Sequence, residues 1–261
     1  MRRIFLTFVW VFSSWTAYAD SSLSLVPAGR PFPLTIADPR EIRTALGFLG
    51  DSSIQAMVGS YLSLFSVADS DALWTMHFGL EGRGLFAMRQ QGGRFPLETV
   101  DGTLGLYAEA ASAAWRFQFR FTHVSAHLAD GSAGTAIPFS RETVSFRSAY
   151  APNDMFQVYA GLHKIVHTMP TVGTWAFQFG SQYFLPFSGT LTPFVAADLR
   201  WQEETAVNPS FSLQLGFALH EKENFRRTFR LYYSYFTGSD VRGQYYLQTR
   251  TTHSFGIEFP L

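Results

Sequence analysis

The sequence predicts an all-β protein, a transmembrane antiparallel up-and-down β-barrel of about twelve strands. Three observations lead to this prediction. Segments of about ten residues alternate apolar and polar side chains along most of the chain. Aromatic residues are abundant, at 17% with 27 Phe, and no apolar run after the first twenty residues is long enough for a membrane-spanning helix. Without such a helix, only a closed barrel satisfies every backbone N–H and C=O group inside lipid.

The first residues predict a secretion signal that ends at residue 19. Basic residues at 2–3 precede a largely apolar stretch at 4–12, and Ala17-Tyr18-Ala19 forms a cleavage site with small residues at its first and third positions. The sequence contains no Cys, so neither a disulfide nor a zinc–thiolate site is expected. We therefore expect three segments: a signal peptide at 1–19, an N-terminal periplasmic segment at 20–42 and an outer-membrane β-barrel at 43–261.

The charges of the chain are balanced and argue against a nucleic-acid partner. Lys plus Arg and Asp plus Glu both number 20, which gives a formal net charge of zero. The expected partners are outer-membrane lipid and, during biogenesis, the barrel-assembly machinery, since Phe255, Ile257, Phe259 and Leu261 alternate in the last predicted strand. No metal or other cofactor is expected, although a calcium requirement and the oligomeric state stay open.

Charged residues of both signs recur on the side of the strands opposite the bulky apolar side chains. A soluble sandwich would show the same alternation with the apolar side buried, but the signal and the aromatic strand ends favour a barrel with these charges inside. We interpret the lumen as packed by ion pairs, with a narrow pore as the alternative. The predicted lumen charges are Glu81, Arg83, Glu109, Arg116, Arg120, Arg147, Asp198 and Arg200.

The strand that begins at Trp115 carries the candidate chemistry. Its odd-numbered residues from Trp115 to Phe121 are aromatic, which predicts that they face lipid and that His123, Ser125 and His127 share this face near the outer headgroups. Folding the next hairpin about residues 133–134 sets Glu142 close to His123. Ser125 as nucleophile, His123 as base and Glu142 as orienting carboxylate would suit acyl-ester hydrolysis, with His127 as a possible further participant.

Less specific interpretations of these residues stay open. Histidine and serine are ordinary at a membrane interface, and a β-bulge near 122 would turn all three side chains inward. Asp130 with either nearby histidine is a weaker candidate for holding a divalent cation. The remaining histidines, at 163, 167, 220 and 253, are interpreted as interfacial or loop residues.

Several short motifs resemble those of a family of bacterial outer-membrane proteins of unknown function. Ala37-Asp38-Pro39-Arg40-Glu41 is similar to the family's Leu-Ala-Asp-Pro-Arg-Glu element, with Ile36 in place of the Leu. The run at 123–130 resembles His-x-Ser-Ser-His-Leu-Gly-Asp, the residues at 140–142 resemble Ser-Arg-Glu, and those at 243–245 resemble the end of Asn-Gly-Gln-Phe. The resemblance implies fold and location but no activity. We expect the element at 37–41 to anchor the N-terminal segment at the periplasmic mouth, with a plug as the alternative.

The His-x-Ser pair on the outer wall is also similar to that of outer-membrane phospholipases and lipid A deacylases. The sequence thus favours two hypotheses. The first is a barrel that hydrolyses acyl esters of lipid A or phospholipid at the outer leaflet. The second is a non-enzymatic barrel, either a narrow pore or a structural component of the outer membrane.

Overall fold

The computed structural model describes residues 21–69, 73–186, 190–203, 209–221 and 224–259, and within them it is almost entirely antiparallel β-sheet. The predicted signal peptide and Pro260-Leu261 lie outside the described residues. Within these ranges no helix has the length and apolar character needed to cross a membrane. The strands are β1 (Ser21–Leu25), β2 (Thr44–Leu49), β3 (Ser53–Asp69), β4 (Thr75–Arg89), β5 (Leu97–Ser112), β6 (Trp115–Leu128), β7 (Ser140–Asn153), β8 (Phe156–Met169), β9 (Trp175–Phe184), β10 (Leu191–Gln202), β11 (Ser210–Glu221), β12 (Asn224–Ser239) and β13 (Thr249–Phe259).

Strands β2 to β13 form a closed twelve-stranded barrel. Each strand pairs antiparallel with its neighbour in the sequence, β13 pairs with β2, and the β3–β4 ladder completes the ring. The predicted fold class is therefore confirmed. One further strand, β1, was not predicted because it has only five residues. It pairs with the end of β3, from Leu25 opposite Phe65 to Ser21 opposite Asp69, beyond the part of β3 that the short β2 covers.

The alternation that predicted the barrel is present in the structure, and β6 shows it clearly. Trp115, Phe119 and Phe121 are 50%, 48% and 41% exposed, whereas Gln118 and Arg120 between them are 1% and 9% exposed. Since the interior is the buried side, the aromatic residues project from the outer wall. The predicted orientation of this strand is confirmed, and no bulge interrupts its register with β5 or β7.

Aromatic side chains gather on the outer wall near both ends of the barrel. Trp115 packs edge-on against Tyr150 with ring centroids 5.3 Å apart, where β6 begins and β7 approaches its end. At the opposite end, Phe177 packs against Trp201 at 5.6 Å, and Trp175 begins β9 beside them. Such girdles on either side of an apolar band are typical of membrane-spanning barrels.

The N-terminal segment runs inside the barrel between β1 and β2. Phe32 and Ile36 are each 1% exposed, and their backbone N–H groups donate to Glu109 Oε2 at 3.2 Å and Gln182 Oε1 at 3.0 Å. Arg147 Nη1 on β7 donates to Glu41 Oε2 at 2.8 Å. Because these partners belong to strands from different sides of the barrel, the segment at 30–43 has the arrangement of a plug. We call it the lumen plug.

A second segment fills the outer half of the lumen. The connection between β12 and β13 turns inward as a short 3₁₀ turn at Gly243–Tyr245. Gly243 N–H donates to Asp101 Oδ2 at 2.8 Å, and Gln244 Nε2 donates to the Ala126 carbonyl at 2.6 Å. A Cβ atom at Gly243 would lie 2.6 Å from that of Ala126, so only glycine fits. This inward turn could not be predicted from the sequence, because a 3₁₀ turn of three residues leaves no periodic pattern.

Arg147 on β7 is the cation of the wall that holds the lumen plug, and its loss should weaken the whole barrel. It is 0% exposed, bonds Glu41, and lies 3.8 Å from Asp38. Arg147→Leu leaves two buried carboxylates without this partner, which should lower the free energy of unfolding by about 3–5 kcal/mol. Urea unfolding of the folded protein in detergent, followed by tryptophan fluorescence, measures the change. Arg89→Leu is the matched control, since Arg89 is 43% exposed in its ion pair with Glu98 and should cost less than about 1 kcal/mol. Equal stability of the two variants would contradict the central role of Arg147.

Candidate functional site

Three neighbouring strands bring two histidines and a carboxylate together on the outer wall. His123 on β6 lies directly opposite Glu142 on β7, which in turn lies opposite His167 on β8. His123 Nδ1 is 2.7 Å from Glu142 Oε1, and the other carboxylate oxygen contacts His167 Nδ1. The side chains of His123, Glu142 and His167 are 46%, 22% and 64% exposed. We call this group the outer-wall triad.

The register places the outer-wall triad just beyond the outer aromatic girdle. Two residues before His123 on β6, a row of cross-strand partners on the same face consists of Phe121, Val144, Lys164 and Trp175. In this row the Lys164 ammonium lies 4.2 Å from the centre of the Trp175 ring. The triad occupies the next row toward the outer end of these strands. Trp and Lys at one level are typical of the boundary between acyl chains and headgroups, so the triad lies where that boundary would be.

Ser125 lies two residues beyond His123 on the same face of β6 and is half-buried. Its neighbours across the ladders are Gly102 on β5 and Ser140 on β7. A Cβ atom on Gly102 would lie 3.5 Å from Ser125 Oγ, so the glycine leaves open space beside the hydroxyl. Within the described part of the chain, Ser125 Oγ has no hydrogen-bond partner within 3.5 Å. The hydroxyl is therefore close to the triad but not joined to His123 in this structure.

The sequence analysis did not connect His167 with Glu142. His163 and Ile165 face the lumen, so simple alternation would turn His167 inward as well. However, Thr143 pairs with Ile165 and Glu142 pairs with His167, which leaves Val166 as an extra residue in a β-bulge. The bulge shifts the alternation by one residue and presents His167 on the outer wall. No residue in the alternating pattern signals this bulge.

The other candidate residues lie apart from the triad. His127 is exposed and paired in register with Val100, and Asp130 is exposed in the following turn. His163, interpreted from the sequence as an interfacial or loop residue, is instead buried in the lumen with Nδ1 2.8 Å from Ser145 Oγ. His253 lies on the outer wall, its Nδ1 2.5 Å from the Tyr233 hydroxyl, and the side chain of residue 220 is outside the described part. No group of three or more His, Cys, Asp or Glu positioned to hold a metal ion occurs among the described residues.

Most of the predicted lumen charges line the interior, and several make ion pairs. Arg120 forms a two-pronged pair with Glu81 at 2.7 and 2.9 Å, and Asp198 accepts from Tyr159 at 2.7 Å. Arg116 differs: it lies at the turn between β5 and β6 and donates to the Ala113 carbonyl at 2.6 Å. The four remaining charges also make contacts in the lumen. Arg83 donates to the Arg40 carbonyl, and Arg200 donates to Gln202. Glu109 accepts from Arg30 and Gln118, and Arg147 bonds Glu41.

The contacts of Glu142 fix what His123 can do chemically. A carboxylate accepts hydrogen bonds, so it favours the form of His123 that carries its proton on Nδ1. In the neutral ring, Nε2 then remains as a hydrogen-bond acceptor and potential base. This assignment follows from the hydrogen bond to Glu142. The pair can therefore take a proton from a hydroxyl brought to Nε2, and Ser125 is the hydroxyl on the same strand face.

The fold is shared with solved outer-membrane barrels. Outer membrane phospholipase A from Salmonella typhi, solved as a dimer with bound calcium, matches with a TM-score of 0.56 and 12% identity over 89% of this chain and 94% of that chain. The Escherichia coli enzyme matches with a TM-score of 0.54 and 13% identity over 89% and 94%. The β-domain of the Bordetella autotransporter BrkA matches with a TM-score of 0.42 and 13% identity over 84% and 96%. At these identities the likeness shows the fold alone.

The sequence family agrees with the motifs identified above. No curated protein sequence matches the chain significantly. One family model, described as "Protein of unknown function (DUF1207)", matches residues 22–260, nearly all of the chain beyond the predicted signal. The family resemblance stated from the sequence motifs is thereby confirmed, and this chain belongs to the DUF1207 family.

Proposed function

We propose that this protein is an integral outer-membrane barrel that hydrolyses acyl esters of membrane lipid at its outer wall. The observation that carries the proposal is the 2.7 Å contact between His123 Nδ1 and Glu142 Oε1, with Ser125 on the same strand face. Nucleophile, base and orienting carboxylate are the three parts of a serine hydrolase, and such sites are recognised by geometry and not by fold.

The membrane location rests on the character of the outer wall. Large apolar side chains cover it between the two aromatic girdles, for example Phe179, Leu199 and Phe217, which are 61%, 46% and 49% exposed. Such a surface suits lipid and not water. The predicted signal peptide supports export, and the alternating apolar residues of the last strand support insertion by the barrel-assembly machinery. The substrate class is therefore phospholipid or lipid A, whose ester bonds would lie near the level of the triad.

The chemistry uses two half-reactions. Ser125 Oγ attacks the ester carbonyl carbon while His123 Nε2 accepts the hydroxyl proton, and Glu142 stabilises the resulting imidazolium. The ester C–O bond then breaks, and the His123 proton passes to the leaving alcohol, which leaves the acyl group on Ser125. Water attacks this acyl-enzyme with His123 again as base. The fatty acid departs and the proton returns to Ser125.

Rotation of the side chains can bring Ser125 and His123 together. Both residues lie on one face of one strand, and rotation about χ1 moves the hydroxyl without any change in the backbone. Catalytic hydrogen bonds are often long in structures without substrate and tighten when substrate binds. The open space over Gly102 would let an acyl chain lie against the wall beside the hydroxyl.

The phospholipases of this fold support the proposal as analogy. Their printed names describe a lipid-hydrolysing activity on a barrel of similar topology, but one fold hosts many functions. The Salmonella enzyme is recorded with calcium. A divalent ion could stabilise the charge that develops on the ester oxygen, so activity should be measured both with calcium and with a chelator. A calcium requirement would then not hide the hydrolysis.

Ser125→Ala should abolish hydrolysis and leave the barrel folded, because the hydroxyl is the proposed nucleophile and makes no contact on which the sheet depends. The measurement is release of free fatty acid, by mass spectrometry, from vesicles of phospholipid and lipid A that contain the purified protein. Ser140→Ala is the matched control, since Ser140 is the cross-strand partner of Ser125 and should keep full activity. Absence of fatty-acid release by the wild-type protein, or equal release by the Ser125 variant, would favour the non-enzymatic barrel.

Glu142→Gln should lower turnover strongly, by up to about 10⁴-fold, because the amide can donate to Nδ1 and stabilise the wrong ring form of His123. His167→Ala should cause a smaller loss, since Glu142 Oε1 still contacts His123. Turnover numbers of the two variants on the same vesicles, with matched unfolding midpoints, provide the comparison. An equal effect of both substitutions would contradict the orienting role given to Glu142.

A further inference from the structure

A partly enclosed chamber lies in the lumen between the lumen plug and the inward 3₁₀ turn. Its volume is about 120 Å³, whereas one water molecule accounts for about 30 Å³ of liquid. Its floor includes Arg40 of the lumen plug, its roof includes Gly243 and Tyr246, and strands β4 to β10 form its wall. The space is therefore large enough for a few waters or for one small polar solute.

Positive charge predominates around this chamber. Four guanidinium groups line it, from Arg40, Arg83, Arg141 and Arg200, and they belong to four different elements. Two carboxylates, Asp101 and Asp240, face them. Asp240 is already engaged by Arg242, whose Nη2 and Nε donate to it at 2.6 and 3.0 Å. Asp240 is therefore already paired with a cation other than the four chamber arginines.

Two of these arginines lack a carboxylate partner. Within the described residues, no carboxylate oxygen lies within 4.0 Å of a side-chain nitrogen of Arg40 or Arg83. In the part of the chain that the structure describes, Arg40 Nη1 and Arg83 Nε are buried and have no hydrogen-bond partner. Arg83 Nη1 donates to the Arg40 carbonyl at 3.0 Å and so ties the two residues together. Asp101 Oδ1 is also buried without a partner, but its other oxygen is held by Gly243.

Buried guanidinium nitrogens without partners are costly, and an anion relieves that cost. The planar arginine fork matches the oxygens of a phosphate, sulfate or carboxylate group. Since a closed sheet separates the chamber from the outer wall, lipid headgroups have no access, and the anion must come from water. We propose that this chamber binds one small free oxyanion between Arg40 and Arg83, with Arg141 and Arg200 completing the positive wall. The proposal does not depend on the outer-wall hydrolysis.

The test uses the full folded protein in a non-ionic maltoside detergent and inorganic phosphate as the probe. Isothermal titration calorimetry at constant ionic strength should give saturable binding at one site per barrel. Arg40→Gln and Arg83→Gln should each weaken binding at least about tenfold, because each removes a charged donor to the anion. Arg94→Gln is the matched control: Arg94 is exposed in the outer loop between β4 and β5, so the same charge is lost away from the chamber and affinity should not change.

Sulfate and acetate should compete with phosphate, whereas chloride and a short-chain phosphatidic acid should not. Absence of saturable binding by all three oxyanions would overturn the proposal. Unchanged affinity in both chamber variants would do the same. Equal competition by chloride would show a general positive surface, and competition by the lipid would show a headgroup site; either result overturns the inference of a free oxyanion. Arg40 and Arg83 belong to the lumen plug and the wall respectively, so a folding defect in one variant leaves the other as the test.

Discussion

The closed ladder of backbone hydrogen bonds is the constraint on which every other feature of this protein depends. Because β13 pairs with β2, β2 with β3 and β3 with β4, the ladder closes on itself. Side chains then have only two directions, outward or into the lumen, and they alternate between them. Phe119 and Phe121 face outward, and Arg120 between them must find a partner inside. The buried Glu81–Arg120 pair is a direct consequence of the aromatic outer wall.

Two inward segments occupy the lumen of this barrel, and they make the outer wall a rigid support. The lumen plug and the 3₁₀ turn enter from opposite ends, and Glu109, Arg147 and Gln182 join the plug to strands β5, β7 and β9. Buried polar networks of this kind hold one arrangement when their members are satisfied. A site on the wall needs its side chains held within fractions of an ångström. The packed interior therefore suits chemistry on the outside better than passage through the centre.

Alternation within single strands was predictable from the sequence, whereas contacts between distant segments were not. The aromatic residues from Trp115 to Phe121 fixed the orientation of β6, and the length of the hairpin was enough to set His123 beside Glu142. His167 could not be placed, because the bulge at Val166 depends on how β8 pairs with its neighbour and leaves no mark in the pattern. The inward turn at Gly243 depends on a close approach to Ala126 that only the folded barrel creates.

The two proposed sites share one layer of backbone. Val124, which lines the oxyanion chamber, lies between His123 and Ser125, and Arg141 and Thr143 of the chamber wall flank Glu142. Alternation places these neighbours on opposite faces of the same strands, so the chamber lies directly behind the outer-wall triad. Ordering of the inner face limits the movement of β6 and β7, the strands that carry His123 and Glu142. An anion that balances the chamber charge would therefore serve the geometry of the outer wall, even though no atom of the chamber reaches the lipid.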